Sequence, residues 1–308
     1  MDGPLPGARP AGVAGRALGA IPPTVGVLIG VVSVQLGAAL AKQLFTVAGP
    51  AGATTLRLFF AALVLSLVWR PSLRDWGGTT AGAATASLAR RGWPVVLAYG
   101  LSLGLMNLTF YQALARIPQG IAVTIEFLGP LGVALAGSRR LLDALWVLLA
   151  AGGVVLLTET RGDLSLLGIA FALAAGVCWA GYILFGAMLG SRSSDGRGLA
   201  LAMVVAAMAT MPAGVAQAGS RLISPWVLMI GLAIALLSSV IPYSLELEAL
   251  RRIPPRVFGV LMSLEPGVAA LAGLLVLHES LRPVQWLALG CVVTASIGAT
   301  RSTRKNSR

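Results

Sequence analysis

The sequence predicts an all-α polytopic membrane protein with ten transmembrane helices. Three observations predict this fold: a high apolar content, ten separate apolar windows, and a one-sided distribution of positive charge. Of the 308 residues, 57% are apolar and only 11% are charged, and the mean hydropathy is +0.86. A soluble domain carries roughly a quarter charged residues, so the composition excludes an ordinary soluble fold.

Each apolar window approaches the length of about 20 residues that a helix needs to cross the hydrocarbon core. In chain order the windows cover residues 24–44, 51–69, 93–115, 118–137, 141–158, 165–189, 198–218, 226–249, 254–276 and 283–299. The windows are continuous, whereas a transmembrane β-strand alternates apolar and polar residues. A β-barrel is therefore not expected. Because nine further windows follow the first, we do not expect that window to be a cleaved signal peptide.

The net charge of +12 is explained by membrane orientation rather than by nucleic acid binding. Of the 23 Lys and Arg residues, 17 fall on one predicted side of the membrane and five on the other, while Arg57 lies inside a window. Because positively charged segments stay in the cytoplasm, both termini are predicted to be cytoplasmic. Residues 1–23 are interpreted as a flexible N-terminal tail and residues 301–308 as a basic C-terminal tail.

An internal repeat divides the ten windows into two sets of five. Residues 113–137 align with residues 249–273 at an offset of 136. The matched pairs are Ala113/Ala249, Leu114/Leu250, Arg116/Arg252, Ile117/Ile253, Pro118/Pro254 and Pro130/Pro266. Because five is odd, two copies in series must insert in opposite orientations. The predicted units are residues 24–158 and 159–300, and inverted repeats of this kind are typical of secondary transporters.

Two glutamates are predicted to lie at membrane depth, where an ionisable side chain usually faces a cavity or a partner. Glu126 and Glu265 lie in windows 4 and 9, on the same face in the repeat alignment. Each stands beside a proline, Pro130 or Pro266, that removes a helical hydrogen bond and predicts a kink. The two glutamates are candidates for proton coupling and for binding a substrate ammonium group. A structural glutamate bonded to a neighbouring helix is the alternative.

Further polar side chains are predicted at the same depth. Glu246 follows Pro242 by four residues in window 8 and could face a cavity. Arg57 in window 2 could receive a substrate carboxylate or pair with a glutamate, and the pairing is favoured. Neutral polar and aromatic side chains accompany them, namely Gln35, Asn107, Tyr111, Trp179, Tyr182 and Tyr243.

The sequence carries no motif of an enzyme or a cofactor site. It has no metal-spaced histidine cluster and no glycine-rich nucleotide loop, so we predict no enzyme activity, no metal and no cofactor. ATP-driven transport by this chain alone is not expected. Cys178 and Cys291 lack metal or disulfide spacing and are interpreted as buried helix residues.

Seven segments along the chain carry a resemblance to a known family. They are SVQLGAALAKQLF at 33–45, TTLRLFFAAL at 54–63, YGLSLGLMNLTFY at 99–111, GIAVTIEFLGPLGVAL at 120–135, CWAGYIL at 178–184, IPYSLELEAL at 241–250 and FGVLMSLEPGVAALAG at 258–273. Together they resemble the threonine and homoserine exporter branch of the drug/metabolite transporter superfamily, whose members have the EamA-type fold. One departure is HESLRP at 278–283, where the family usually has Gly before the Glu.

The resemblance implies ten helices in two EamA repeats around a central cavity, in a bacterial cytoplasmic (inner) membrane. It also implies export of small amino acids such as threonine or homoserine by a proton-driven antiporter. The implied partners are the amino acid, protons and the lipid bilayer. Nine residues fall in matching motifs on the implied cavity helices: Gln35, Asn107, Tyr111, Glu126, Trp179, Tyr182, Tyr243, Glu246 and Glu265. Arg57 is the tenth candidate, from its position at membrane depth.

Two alternatives stay open from the sequence. The first is an exporter of another small metabolite or drug, since related branches share the fold and not the substrate. The second is a receptor or assembly component of the membrane that transports nothing.

Overall fold

The computed structural model of the chain describes residues 21–69, 71, 83–136, 145–146, 148–150, 152–153, 156, 165–190, 197–250 and 252–302. All regular elements within these residues are helical. Most of the predicted N-terminal tail, most of the C-terminal tail and the junction of the two predicted units lie outside the described residues.

The helices of the described chain are labelled in order. They are α1 (Pro23–Trp69), α2 (Ala83–Leu114), α3 (Gln119–Glu126), α4 (Leu128–Ala136), α5 (Leu166–Gly190), α6 (Arg197–Ala218), α7 (Pro225–Ala235), α8 (Ile241–Leu250), α9 (Pro255–Met262), α10 (Glu265–Leu277) and α11 (Pro283–Ser302). A 3₁₀ turn (Gly219–Ile223) precedes α7, and a π-helical segment (Leu236–Val240) joins α7 to α8. The described residues of the predicted fifth window are also helical.

Six helical stretches among the described residues are long and apolar enough to cross a membrane. They are Pro23–Trp69, Trp93–Leu114, Leu166–Met188, Arg197–Ile223, Pro225–Glu246 and Val257–Leu277. Two shorter apolar stretches are Gln119–Val133 and Pro283–Gly298. These findings confirm the prediction of an all-helical, polytopic membrane protein, but six candidate crossings do not establish the predicted ten.

Helix α1 reverses direction at Gly49. This residue has φ 69° and ψ 168°, a conformation that glycine adopts far more readily than other residues. Ser33 in the first arm and Arg57 in the second arm donate hydrogen bonds to adjacent carbonyls of the π-helical segment, at 2.6 and 2.7 Å. In a straight helix these two donors would lie about 36 Å apart. Helix α1 is therefore a hairpin of two arms, residues 23–48 and 50–69.

Two breaks in the helices lie where the sequence places prolines inside apolar windows. Helix α3 gives way to α4 at Phe127, and α9 gives way to α10 at Ser263–Leu264. These breaks confirm the interruptions predicted from Pro130 and Pro266, each of which lacks an N–H for the helix. The backbone is nearly identical at both, with φ −63° and ψ −13° at Phe127 and φ −63° and ψ −12° at Ser263.

Small residues allow the helices to approach closely. A Cβ atom added at Gly100 of α2 would lie 2.6 Å from the carbonyl oxygen of Ala202 in α6, and one at Gly104 would lie 3.1 Å from the Cα of Ala206. Such contact between backbones supplies the van der Waals packing that associates helices in lipid. Side chains that face outward are apolar and well exposed, as at Leu166, and such a surface suits a bilayer.

Candidate functional site

A cavity of about 650 Å³ lies inside the helix bundle. This volume falls within the range of roughly 300–1,000 Å³ that is common for small-molecule pockets. Carboxylates, a guanidinium, amides and aromatic rings all contribute to its wall. Nine of the ten predicted site residues line the cavity, namely Gln35, Arg57, Asn107, Glu126, Trp179, Tyr182, Tyr243, Glu246 and Glu265. The structure thus brings together residues that are up to 230 positions apart in the chain.

The tenth predicted residue, Tyr111, lies behind the cavity wall. Its side chain is fully buried, and its hydroxyl accepts a hydrogen bond of 3.3 Å from Nη1 of Arg57. The guanidinium carbon of Arg57 also lies 5.5 Å from the centroid of the tyrosine ring, within the range of a cation–π contact. The contacts of Tyr111 therefore orient Arg57, and Tyr111 is not part of the wall.

Arg57 is held by neutral groups. Its Nε donates to Oγ of Ser239 at 3.0 Å, and its Nη2 donates to the carbonyl of Ser238 at 2.7 Å. Within the described chain no carboxylate forms an ion pair with Arg57. The pairing with a glutamate, which the sequence favoured, is therefore corrected: hydroxyl and carbonyl oxygens take that place. The positive charge lies at the cavity wall, in the same cavity as Glu126 and Glu265 but not in ion-pair contact with them.

The contact between Arg57 and Ser238 was not predicted, although the sequence carries a signal for it. Pro242 lacks the N–H that an α-helix would donate to the carbonyl four residues earlier, which is that of Ser238. A buried carbonyl needs a donor, and Arg57 is a cation placed well inside an apolar window. The π-helical turn at this point widens the helix, as such turns often do at functional sites.

Glu126 and Glu265 stand at the two helix breaks. Glu126 is the last residue of α3, Glu265 is the first residue of α10, and their exposed fractions are 6% and 7%. Oε1 of Glu265 accepts a hydrogen bond of 3.1 Å from Nε2 of Gln35, while its Oε2 is buried without a partner among the described residues. A buried polar atom without a partner costs roughly 1–3 kcal/mol. Because this oxygen has almost no accessible surface in the present conformation, a ligand can supply the missing donor only if the Glu265 side chain turns toward the cavity.

Aromatic rings form another part of the wall. The ring of Trp179 meets that of Phe127 edge-on, with centroids 5.5 Å apart, and Tyr182 stacks on Tyr99 with centroids 4.8 Å apart. These preferred geometries stabilise each pair by roughly 0.5–1.5 kcal/mol beyond burial. The rings of Phe127, Trp179 and Tyr182 therefore give the cavity a fixed aromatic surface.

Sequence analysis missed Gln119, which supports the cavity from behind. It is completely buried, and its Nε2 donates to both the carbonyl oxygen and Oε1 of Gln35, each at 2.9 Å. The available signal was a glutamine directly after a proline at the start of an apolar window, a position without polar neighbours in sequence.

The described residues contain no cluster of three or more His, Cys, Asp or Glu residues suited to a metal ion.

The cavity has the chemistry to bind a small dipolar molecule. Arg57 supplies a positive charge that forms no ion pair with any described residue, and Glu126 and Glu265 supply carboxyl groups. The wall also contains amide and aromatic side chains, which are uncharged and can still form hydrogen bonds. An anionic and a cationic group of one ligand could therefore be bound at different places in the same cavity.

The model of the EamA-like transporter family matches residues 166–301. The threonine/homoserine exporter RhtA of Escherichia coli (strain K12) is 43% identical over 289 residues, which cover 93% of this chain and 94% of that protein. The protein of the same name from Salmonella typhimurium (strain LT2) is 43% identical over 286 residues, covering 92% of each. These relatives are named exporters, which agrees with the prediction that the chain is not an enzyme.

A solved crystal structure aligns with 92% of this chain and 99% of its own, at a TM-score of 0.58 and 18% identity. This likeness supports the fold alone. The sequence relatives cover nearly the whole chain, so both predicted units are included in the match. Together with the membrane helices, they confirm the predicted family and a multi-pass protein of the bacterial inner membrane. The chain therefore belongs to the EamA-like transporter family, on the branch formed by these exporters.

Proposed function

We propose that the protein is a secondary-active exporter of small amino acids of the threonine or homoserine type. The observation that carries this proposal is a single cavity lined by Arg57, which forms no ion pair among the described residues, and by the carboxyl groups of Glu126 and Glu265. An amino acid is a zwitterion, and each of its ends needs a site of opposite charge. The names of the relatives support the choice of threonine and homoserine as substrates.

Asn107 supports recognition of a substrate hydroxyl group. Its Nδ2 donates to the carbonyl of Leu103 at 2.8 Å. A carbonyl oxygen only accepts hydrogen bonds, so the amide nitrogen must face Leu103, and Oδ1 is left as the acceptor that Asn107 offers. Because Asn107 lines the cavity, this oxygen can accept a hydrogen bond from the hydroxyl of threonine or homoserine.

Proton coupling is proposed to use Glu126 and Glu265. Both carboxylates line the cavity at helix breaks, and carboxyl groups at membrane depth are common in proton relays. A carboxyl group that exchanges its proton for the ammonium group of the substrate couples inward proton flow to outward amino-acid flow. The protein then acts as an antiporter by alternating access, with the cavity open to one side at a time.

The topology proposed for this mechanism has ten crossings in two inverted repeats, with both termini in the cytoplasm. The hairpin of α1 supports two crossings within that one element, since each arm reaches about the length of a membrane span. The repeat is supported by the prolines before α3 and α9, with φ −56° and ψ 144° at Pro118 and φ −57° and ψ 140° at Pro254. Opposite insertion of the two units rests on their odd number of windows.

The first prediction is tested in vesicles that contain the purified protein and carry an imposed pH gradient. We expect counterflow of threonine and homoserine within a panel of amino acids, and uphill transport driven by the gradient. Glu126→Gln should retain the fold and lose the coupling to the pH gradient, because an amide side chain does not bind and release a proton at the pH values of the experiment. Glu248→Gln is the matched control, since Glu248 pairs with Arg252 away from the cavity.

Each other outcome has a defined meaning. Flux of a different small molecule with no flux of amino acids would support an exporter of another metabolite or drug. A folded protein with no flux of any solute would support a membrane component that does not transport. If Glu126→Gln keeps the pH dependence of the native protein, Glu126 is not the coupling residue.

A further inference from the structure

A chain of polar contacts runs from the cavity to one end of the helix bundle, beyond the residues that line the cavity. It begins at Glu265 and continues through Gln35 and Gln119 to an ion pair of Glu279 with Lys42. Gln119, Glu279 and Lys42 do not line the cavity. In an apolar membrane interior, burying such polar side chains costs free energy unless neighbouring members of the chain form hydrogen bonds with them.

The orientation of both amides follows from one backbone carbonyl. Nε2 of Gln119 donates to the carbonyl oxygen of Gln35 at 2.9 Å. That oxygen only accepts, so the group of Gln119 that faces it must be the NH₂. The same NH₂ donates to Oε1 of Gln35 at 2.9 Å. The amide of Gln35 must then turn its own NH₂ toward Glu265, where it donates to Oε1 at 3.1 Å.

The cavity end of this chain is incomplete. Glu265 receives one hydrogen bond, from Gln35, and its Oε2 is buried without a partner among the described residues. Gln119 has a similar buried Oε1 that lacks a partner there. Within the described chain, the side chain of Gln119 forms hydrogen bonds to Gln35, and these contacts hold Gln35 in place.

The other end of the chain joins the ends of three helices. Glu279, just after α10, accepts at Oε2 a hydrogen bond of 2.8 Å from the backbone N–H of Gln119, the first residue of α3. At Oε1 it binds the ammonium group of Lys42, which also donates to the carbonyl of Ile117 at 3.4 Å. Helix starts have unsatisfied N–H groups, and Glu279 satisfies one from a distant part of the chain.

Close packing leaves little freedom at this end. A Cβ at Gly273 of α10 would lie 2.6 Å from Oε2 of Glu279, and one at Gly120 of α3 would lie 2.7 Å from Cα of Ala270. The contacts cross between the two predicted units, since Lys42 and Gln119 belong to the first and Glu279 to the second. The position equivalent to Gln119 in the second unit is Pro255, which lacks an N–H, so the same contact cannot form there.

We propose that Gln119 is a positioning residue that links the cavity carboxylate of Glu265 to the ion pair of Lys42 with Glu279. When this end of the bundle opens, α3 separates from Glu279, Gln119 leaves Gln35, and Glu265 loses its fixed donor. The closed end and a carboxylate set to receive a substrate ammonium group therefore occur together. This coupling rests on the proposed transport function, but the hydrogen-bonded linkage can be tested without a transported solute.

The first test measures unfolding of the purified protein in detergent. Gln119→Leu removes the amide while it keeps a similar volume and the backbone N–H that binds Glu279. We expect the effects of Lys42→Met and Glu265→Gln on the unfolding midpoint to be non-additive in the native chain. In the Gln119→Leu background they should become additive, as for independent sites. Additive effects in both backgrounds would overturn the linkage.

The second test separates substrate affinity from turnover. KM and the maximal rate of amino-acid counterflow are measured in vesicles, with the amino acid supplied on the side of the membrane opposite the Lys42 end of the bundle. Lys42→Met should raise KM about five-fold or more, because the receiving state is less populated. In the Gln119→Leu background the same change should alter KM by less than about two-fold, as expected for uncoupled sites.

Gln112→Leu is the matched control, since Gln112 binds Arg116 near the same end and is not part of the chain. In that background Lys42→Met should keep its full effect on KM. An equal change of KM in the native and Gln119→Leu backgrounds would show that Gln119 transmits nothing. Absence of counterflow in the native protein would instead contradict the proposed function, and the unfolding test would still decide on the linkage.

Discussion

His278 shows how a single residue is placed by the needs of its neighbours. It follows α10 with φ 57° and ψ 30°, and its backbone N–H and that of Glu279 both reach the carbonyl of Gly273. This left-handed conformation turns the chain so that Glu279 points back to α3. The resemblance places a glycine of the family here, and glycine adopts such a conformation without the penalty that a Cβ brings.

We predict that His278→Gly stabilises the protein by about 0.5–1 kcal/mol. The left-handed conformation costs a residue with a Cβ about 1–2 kcal/mol, and the greater freedom of glycine in the unfolded chain offsets part of this. The side chain of His278 is exposed, so its loss removes little packing. Denaturant or thermal unfolding in detergent measures the effect.

Ser280→Gly is the control for this prediction. Ser280 is also exposed and close by, but His278 is the one non-glycine residue with positive φ in the part of the chain that the structure describes. Glycine at 280 should therefore give no gain in stability. A loss of stability in His278→Gly would indicate that the imidazole makes a contact that outweighs the backbone strain.

At the scale of the elements, the break between α3 and α4 depends on contact with α5. A Cβ at Gly176 of α5 would lie 2.8 Å from the carbonyl oxygen of Glu126, and a Cβ at Gly129 of α4 would collide with the carbonyl oxygen of Gly176. The two helices thus touch through their backbones beside the cavity. Small residues at both positions allow Glu126 to stand at the cavity wall next to the aromatic side chains of α5.

We predict that Gly129→Ala destabilises the protein by about 1–3 kcal/mol, the usual cost of overpacking, and reduces transport. The new methyl group would meet a carbonyl of the backbone rather than a side chain that can turn away. The two helices would have to separate, which would shift Glu126 relative to Trp179. Unfolding in detergent and counterflow in vesicles measure the two effects.

Gly132→Ala provides the comparison within the same helix. Among the described residues, no heavy atom outside the local helix backbone lies within 4 Å of a Cβ at Gly132, and alanine is favoured over glycine in a helix by about 1 kcal/mol. Stability should therefore stay the same or rise. Equal destabilisation by both substitutions would mean that α4 is sensitive to helix propensity and not to its contact with α5.

At the scale of the whole molecule, the two predicted repeat units enclose one cavity. The cavity draws on both units, with Gln35, Arg57 and Glu126 from the first and Glu246 and Glu265 from the second. Relative motion of the units would change both the cavity and the contacts at its ends. In the proposed topology the two units are inserted in opposite orientations.

We predict that single cysteines report this topology in spheroplasts after Cys178 and Cys291 are replaced by alanine. Cysteines at Ser220→Cys and Ser280→Cys should react with a membrane-impermeant maleimide from outside, because the proposed topology places them on the outer side. Ser302→Cys should react only after permeabilisation. Labelling of Ser302→Cys in intact spheroplasts would contradict the cytoplasmic C-terminus and an even number of crossings.

Much of this architecture follows from the sequence because membrane constraints are strong. The long apolar windows predicted the helices, and the distribution of arginines predicted their orientation. The prolines at 130 and 266 predicted the breaks beside Glu126 and Glu265. Nine predicted side chains line one cavity because charged and polar groups at membrane depth have few other places to lie. The number of crossings and the roles of these residues stay predictions.

The sequence alone determined the class of fold, the family and nine of the side chains that line the cavity, since each of these depends on local composition and spacing. Only the tertiary structure decided which groups meet. Arg57 binds Ser238 and Ser239 instead of a glutamate, and Tyr111 lies behind the wall. Gln119 acquires its importance from its contacts with Gln35 and Glu279. Such contacts join residues far apart in the chain, and the relative rotation of packed helices sets them.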